Sequence, residues 1–167
     1  MNLKKFRITA AAGKKSLGVF LDRLDMLVPE DLPVVVAKID AAVWQKVDCT
    51  TCANCCKTMT PTYKKSDVLR ISAFLAITPQ EFVSRWLHKE EETGDWVNNT
   101  QPCQFLVDNK CSVYDVRPKD CAQFPHHNSV PFDDYNETFK NNLALCPATY
   151  LLVNKLKKIV ERDYEWD

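Results

Sequence analysis

Between Cys49 and Cys56 the chain reads Cys-Thr-Thr-Cys-Ala-Asn-Cys-Cys, a Cys49-x2-Cys52-x2-Cys55-Cys56 block. Two thiolates separated by two residues can close on one metal, because the intervening turn lets both sulfurs converge at about 2.3 Å from it. A second module follows as Cys103-x7-Cys111-x9-Cys121, and Cys146 completes the set of eight cysteines. Adjacent side chains in an extended loop point apart, so Cys55 and Cys56 do not readily serve one small tetrahedral ion. Two metal centres, or one polynuclear cluster, fit this block better. Eight thiolates suffice for two tetrahedral sites of four sulfurs each. All eight cysteines, Cys49, Cys52, Cys55, Cys56, Cys103, Cys111, Cys121 and Cys146, are therefore candidate ligands for zinc or iron, the latter including an iron–sulfur cluster.

What the cysteines are for depends on the compartment. Residues 1–20 hold no apolar run of signal-peptide length, and lysines interrupt them. No stretch of about 18 apolar residues occurs, so no membrane span is expected. A cytoplasmic location follows as the expectation, and there closely spaced cysteines are metal ligands or redox groups more often than disulfides. Lys plus Arg equals Asp plus Glu at 22 each, so nothing suggests nucleic acid as a partner. The three glycines, Gly13, Gly18 and Gly94, cannot form a Rossmann or P-loop motif. No spacing assembles a nucleophilic triad, so catalysis has no specific support. The expected partner is the metal ion itself, and a protein partner is unknown.

The remainder reads as a helical scaffold. Leu17, Phe20, Leu21, Leu24 and Leu27 describe one face of a helix over 14–28. Asp31 and Pro33 open a second over 32–47, and the pair suggests an N-terminal helical hairpin, residues 1–47. Residues 48–62 show no period and read as a ligand-bearing loop. Ser66 or Asp67 caps a helix to about Leu75. Thr78-Pro79-Gln80-Glu81 combines a cap, a first-position proline and a capping box for a helix reaching Lys89, with His88 on its surface. Cys103–Val107 and Lys110–Tyr114 flank Asp108-Asn109 as a β-hairpin with a cysteine on each arm. Pro118 starts a helical turn carrying Cys121. Residues 124–140 read as irregular, and Cys146-Pro147 opens a last helix over 147–163. The fold class predicted is mainly α: an irregular helical domain around a cysteine-lined metal centre, with one short β-hairpin. Its parts are the hairpin 1–47, a cysteine-cluster segment 48–125, and a C-terminal loop and helix, 126–167, packing on it as one compact unit. His126-His127 could add a nitrogen ligand, although the cysteines make that unnecessary. Of the nearby cations, Arg117 is the one expected to offset thiolate charge.

Cys49–Cys56, together with Cys103-Gln-Phe-Leu, Cys111-Ser-Val-Tyr-Asp-Val-Arg-Pro-Lys-Asp-Cys121 and Phe124-Pro125, resembles the zinc- or iron-chelating cysteine-cluster domain family (CxxCxxCC … RPxxC). The segments Ser66–Ile71 and Thr78–Phe82 resemble the helical stretch between that family's two cysteine blocks. Family members often carry glycine after the second cysteine, where this chain has Ala53, and arginine after the RPxxC cysteine, where it has Ala122. The resemblance implies a metal-binding protein. It also implies an alternative, an iron–sulfur redox protein or oxidoreductase of unknown substrate, because some members are called iron–sulfur oxidoreductases.

Overall fold

The computed structural model describes residues 2–164. In chain order its elements are α1 (Leu3–Leu24), α2 (Leu32–Trp44), α3 (Cys49–Cys52), α4 (Asn54–Thr58), β1 (Thr62–Tyr63), α5 (Lys65–Phe74), α6 (Pro79–Trp86), β2 (Leu87–Lys89), β3 (Trp96–Asn98), β4 (Leu106–Val107), β5 (Lys110–Cys111), α7 (Lys119–Gln123), α8 (Asn136–Asn142) and α9 (Pro147–Asp163). The fold is mainly α, and β4–β5 is the expected short hairpin. A three-stranded antiparallel sheet, ordered β1-β3-β2, is an addition to it. Among the described residues no helix is long and apolar enough to cross a membrane. The chain divides into two compact units. The first is built from α1, α2, α8 and α9, the second from the chain between Cys49 and Phe124.

In the first unit α9 is the central support, with α2 and α1 both packed on it and α8 packed on α1. Its Leu152, Leu156 and Val153 are fully buried, as are Leu21, Leu24 and Val43 from the helices around it. Each such side chain contributes about 1.5–3 kcal/mol when withdrawn from water. α1 begins well before the predicted residue 14, because Asn2 accepts the Lys5 N–H at 3.0 Å and an alanine-rich segment carries the helix forward. It stops at Leu24, which leaves Leu27 half exposed instead of on a buried face. α2 ends at Trp44, short of the predicted residue 47. Residues 124–140 were expected to be irregular. They include most of α8, whose Phe139 is fully buried and stacks on Phe132 with centroids 4.5 Å apart.

Loop, α2 and α9 are joined in this unit by a buried polar chain. His127 Nδ1 lies 2.8 Å from Asp40 Oδ1, and His127 Nε2 lies 3.1 Å from Thr149 Oγ1. Asn128 Nδ2 donates to the other Asp40 oxygen at 2.9 Å. Burial alone would raise the pKa of Asp40, but the hydrogen bonds from His127, Asn128 and Trp44 outweigh it and hold the carboxyl below its ordinary 3.8.

The second unit has its own core. Tyr63, Val68, Ile71, Phe82, Leu87, Phe105 and Val113 form it, and Phe82 lies parallel to Phe105 with centroids 6.0 Å apart. α6 starts as predicted: Thr78 Oγ1 accepts the Glu81 N–H at 3.2 Å and Glu81 accepts the Thr78 N–H at 2.8 Å. It ends at Trp86, three residues before the predicted Lys89. Leu87–Lys89 instead form a strand that pairs with Trp96–Asn98, so the exposed His88 sits on a strand. The turn between them is closed by Glu90 N–H to Asp95 O at 2.9 Å and by Gly94 at a φ of 73°.

Removing one member of a buried hydrogen-bonded pair strands the other, at a cost of about 3 kcal/mol. Asp40→Ala is therefore expected to destabilise the protein by about that amount in urea unfolding. The lowered pKa means that the Asp40 contribution is present above 3.8 and is lost as the pH falls through the lower folded value. Acid unfolding followed by near-UV circular dichroism should thus begin at higher pH in His127→Ala than in the parent protein.

Candidate metal centre

The first cysteine block is not the loop predicted from sequence. It forms two short helical turns, α3 and α4, that meet at Ala53. The Ala53 N–H reaches back to Cys49 O at 3.2 Å, and Ala53 then takes the left-handed conformation at φ 52°, ψ 18°. That is how a helix ends when the residue after it can adopt αL, normally glycine. The cysteine offsets of three, three and four are helical offsets. Over residues 48–62 no period emerges, because each of these turns is only four or five residues long. The kink at Ala53 places Cys49 and Cys52 on one turn and Cys55 and Cys56 on the next. Cys52 is buried, Cys55 and Cys56 are half-buried, and Cys49 is exposed.

The second module is docked on the first through the backbone. Cys103 N–H donates to Cys56 O at 2.8 Å. Asp108 and Asn109 both have positive φ, 47° and 64°, as a two-residue hairpin turn requires. Asn109 Nδ2 donates to Thr51 O at 3.3 Å, and its Oδ1 accepts from Lys57 Nζ. Cys111 lies on β5, but Cys103 precedes β4 instead of sitting on a hairpin arm. The third member, Cys121, is carried by α7. Asp67 is 1 % exposed, and its carboxylate accepts the Lys119 N–H at 3.1 Å, the Lys64 N–H at 2.9 Å and the Arg70 guanidinium at 2.7 Å. Asp120 Oδ2 accepts the Thr62 N–H at 3.0 Å. Two acids thus hold α7, and with it Cys121, against α5 and β1. Asp67 does not cap α5 as predicted. It occupies the third helical position and reaches back to the Lys64 N–H.

Four of the thiols sense one another. The Cys56 pKa is drawn down to about 7, first by a hydrogen bond with Cys55 and, against burial, by its own backbone N–H and Lys57. Desolvation raises Cys103, the Phe105 N–H lowers it, and the charge of Cys56 raises it again. Cys111 follows the same pattern: desolvation raises it, the Val113 N–H lowers it, Cys56 and Cys103 raise it, and Arg117 lowers it. Cys121 keeps part of its surface in solvent, yet protein crowded about its sulfur raises its pKa most, followed by Asp120, Cys56, Cys103 and Cys111. Arg117 therefore offsets thiolate charge at Cys111 while its guanidinium lies 4.0 Å from the Tyr114 ring centre. In each of Cys103 and Cys111 the sulfur accepts the N–H two residues ahead, which stabilises a thiolate.

These cysteines are neighbours but not yet a closed coordination set. Among the described residues no three His, Cys, Asp or Glu side chains are already arranged to hold a metal ion. Cys146 lies in the other unit, buried, at the start of α9. His127 has both ring nitrogens engaged by Asp40 and Thr149, and His126 stacks on Tyr135 with centroids 5.3 Å apart. The donor chemistry nevertheless suits a thiophilic cation: the charge of Cys56 raises the pKa of Cys103, Cys111 and Cys121, and N–H donors already favour charge on two of these. Asp67, Asp120 and Asn109 are the site residues that sequence reasoning missed. Each acts on a backbone group more than 50 positions away, except for the local contacts of Asp67.

Two expectations follow. A β-branched side chain is poorly tolerated at positive φ, so Ala53→Val should cost about 2 kcal/mol in urea unfolding, while Ala53→Gly should be within about 1 kcal/mol of the parent. Asp67→Asn cannot accept three hydrogen bonds as a carboxylate does. It should lose about 2–3 kcal/mol and speed the reaction of Cys121 with a thiol reagent, as read by mass spectrometry of the labelled cysteine.

No curated protein and no solved structure matches the chain. A family model does, over residues 48–147, with the description "Putative zinc- or iron-chelating domain". That span runs from the first cysteine block through the α7 module to the start of α9, more than half of the sequence, and the chain belongs to this CxxCxxCC family of zinc- or iron-chelating domains.

Proposed function

We propose that the protein binds zinc or iron through cysteine thiolates in the cytoplasm, where thiols stay reduced. The observation that carries this reading is the docking of the second cysteine module on the first, with the Cys103 N–H on Cys56 O at 2.8 Å, which gathers Cys56, Cys103, Cys111 and Cys121 closely enough for their charges to act on one another. Desolvation and neighbouring thiolates push up the pKa of the last three. A bound cation would relieve both effects at once. Cys49, Cys52 and Cys55, carried on α3 and α4, supply further sulfurs from the same block as Cys56. Cys146 enters the proposed set on the family match, which runs to residue 147, and not on geometry.

The protein's own residues divide the work. Cys103, Cys111 and Cys121 provide ligands on three differently anchored segments. Phe105 and Val113 N–H groups hold charge on two of the sulfurs. Lys57 and Arg117 offset part of the remainder. The role is structural or metal delivery, with the ion itself as partner.

The second reading is an iron–sulfur redox protein. Its support is the Cys49-x2-Cys52-x2-Cys55 spacing, which is that of a bacterial ferredoxin cluster. Anaerobic purification distinguishes the two. Visible absorption near about 400 nm with acid-labile sulfide identifies the cluster, while colourless protein holding zinc identifies the first reading.

Single Cys→Ser variants test the ligand set. Cys121→Ser and Cys56→Ser are expected to lose bound metal per chain. Retention of full metal content by both would refute thiolate ligation at this centre. Removal of metal with a chelator should increase hydrogen exchange in 49–58 and 103–123. The α5–α6 core should stay protected, because its apolar packing does not depend on the ion.

A further inference from the structure

Residues 3–21 of α1 hold five cations, Lys4, Lys5, Arg7, Lys14 and Lys15, and no acid. All five are exposed, and among the described residues none of them is in an ion pair. This placement costs the helix stability. Positive charge in a first turn opposes the helix dipole, and Lys4 and Arg7 stand at the spacing of three at which like charges repel. Two large aliphatics share the same outer side. Lys4, Ile8, Ala12, Lys15 and Val19 follow at steps of four, four, three and four, which puts them on one stripe. Ile8 is 68 % exposed and Val19 53 %, while Phe6, Ala10, Leu17, Leu21 and Leu24 bury the opposite side. Asp22, the first acid to follow, is paired with Lys140.

We propose that this outer face of α1 docks the protein reversibly on an anionic lipid bilayer, with Lys4, Lys5 and Lys15 over the headgroups and Ile8 and Val19 at the edge of the acyl region. Charge complementarity identifies one half of the partner: exposed lysines are drawn to a negatively charged leaflet, by about fivefold in binding for each cation. The aliphatics identify the other half. A nucleic-acid backbone offers phosphates but no apolar phase for Ile8 and Val19, whereas the boundary between headgroups and acyl chains offers both. Ile8 and Val19 are eleven residues apart, about 16 Å along the helix axis, so they meet a plane and not one pocket. The lysine stems add apolar length between them while the charged heads stay at headgroup level. With two aliphatics the attachment is shallow and salt-sensitive, and it needs no membrane span. It is independent of the metal reading, because α1 belongs to the first unit.

Co-sedimentation of the full chain with lipid vesicles is the direct test. Phosphatidylcholine vesicles containing phosphatidylglycerol should bind it about twentyfold or more tightly than phosphatidylcholine alone, and the difference should shrink as salt shortens the Debye length. Equal binding to the two kinds of vesicle, or binding to neither, would overturn the inference. Duplex DNA at the same phosphate concentration serves as competitor. Transfer of the protein from the vesicles to the DNA would make the face a nucleic-acid surface and would overturn it as well.

Variants at exposed positions locate the binding. Lys4→Gln combined with Lys15→Gln should weaken attachment to the anionic vesicles about 25-fold. Lys38→Gln combined with Lys46→Gln removes the same charge from exposed positions in and just after α2, and should change attachment less than about threefold. Equal losses in the two double variants would mean that net charge, and not this face, drives binding, and the assignment would fall. Ile8→Ser combined with Val19→Ser keeps every charge and should weaken attachment about tenfold, with the near-UV circular dichroism unchanged. Full attachment by that variant would overturn the bilayer as partner.

Discussion

Thiolates from distant parts of a chain repel one another, and a partly desolvated site amplifies that repulsion. Much of the second unit can be understood as a response to this one constraint. Backbone N–H groups are aimed at Cys103 and Cys111, cations stand beside Cys56 and Cys111, and the first cysteine block is bent at Ala53 so that its sulfurs divide between two turns. None of these removes the repulsion entirely. The thiols of Cys103, Cys111 and Cys121 remain harder to ionise than free cysteine, which is the condition under which a cation gains most by binding.

The segments that carry the sulfurs are short, and a helix of one or two turns has little stability of its own. Polar groups buried beside an apolar core compensate. Asp67 ties α5 to the first turn of α7 and neutralises Arg70, whose guanidinium also reaches Arg117 O at 2.8 Å. Asn109 clamps the hairpin tip to Thr51 and Lys57. Phe82, Trp86 and Phe105 form an aromatic cluster in the core against which Cys103 packs, so the Cys103 segment is anchored by packing and by its N–H on Cys56 O. The first unit uses the same device for a different end. There Asp40, His127 and Thr149 join a loop to two helices, and a histidine that sequence reading offered as a ligand is committed to structure.

Local signals were readable wherever the partners lie within four residues. The capping box at Thr78–Glu81, the proline opening α9 at Pro147 and the Asp108-Asn109 turn all have their cause inside the element they begin. Signals failed where the partner lies farther off. Leu87–Lys89 continue a helical pattern in sequence, but pairing with Trp96–Asn98 supplies hydrogen bonds that outcompete one more helical turn. α8 was missed because its short apolar pattern, centred on Phe139, becomes a helix only with a core to pack against.

The family and the element behind it, a cysteine block with helical offsets and an RPxxC module, are written in the order of residues and need no fold to be recognised. The mainly α class follows as well, because periodicity and caps are local properties. The sequence could not show that Asp67 would hold the N-terminus of the Cys121 helix, or that Asn98 would accept the Tyr63 hydroxyl and the Gln104 amide in the core of the second unit. Those roles depend on burial and on partners brought in from elsewhere in the chain. A carboxylate or an amide has the same letter in solvent as in the core, and only the tertiary structure decides which hydrogen bonds it must make.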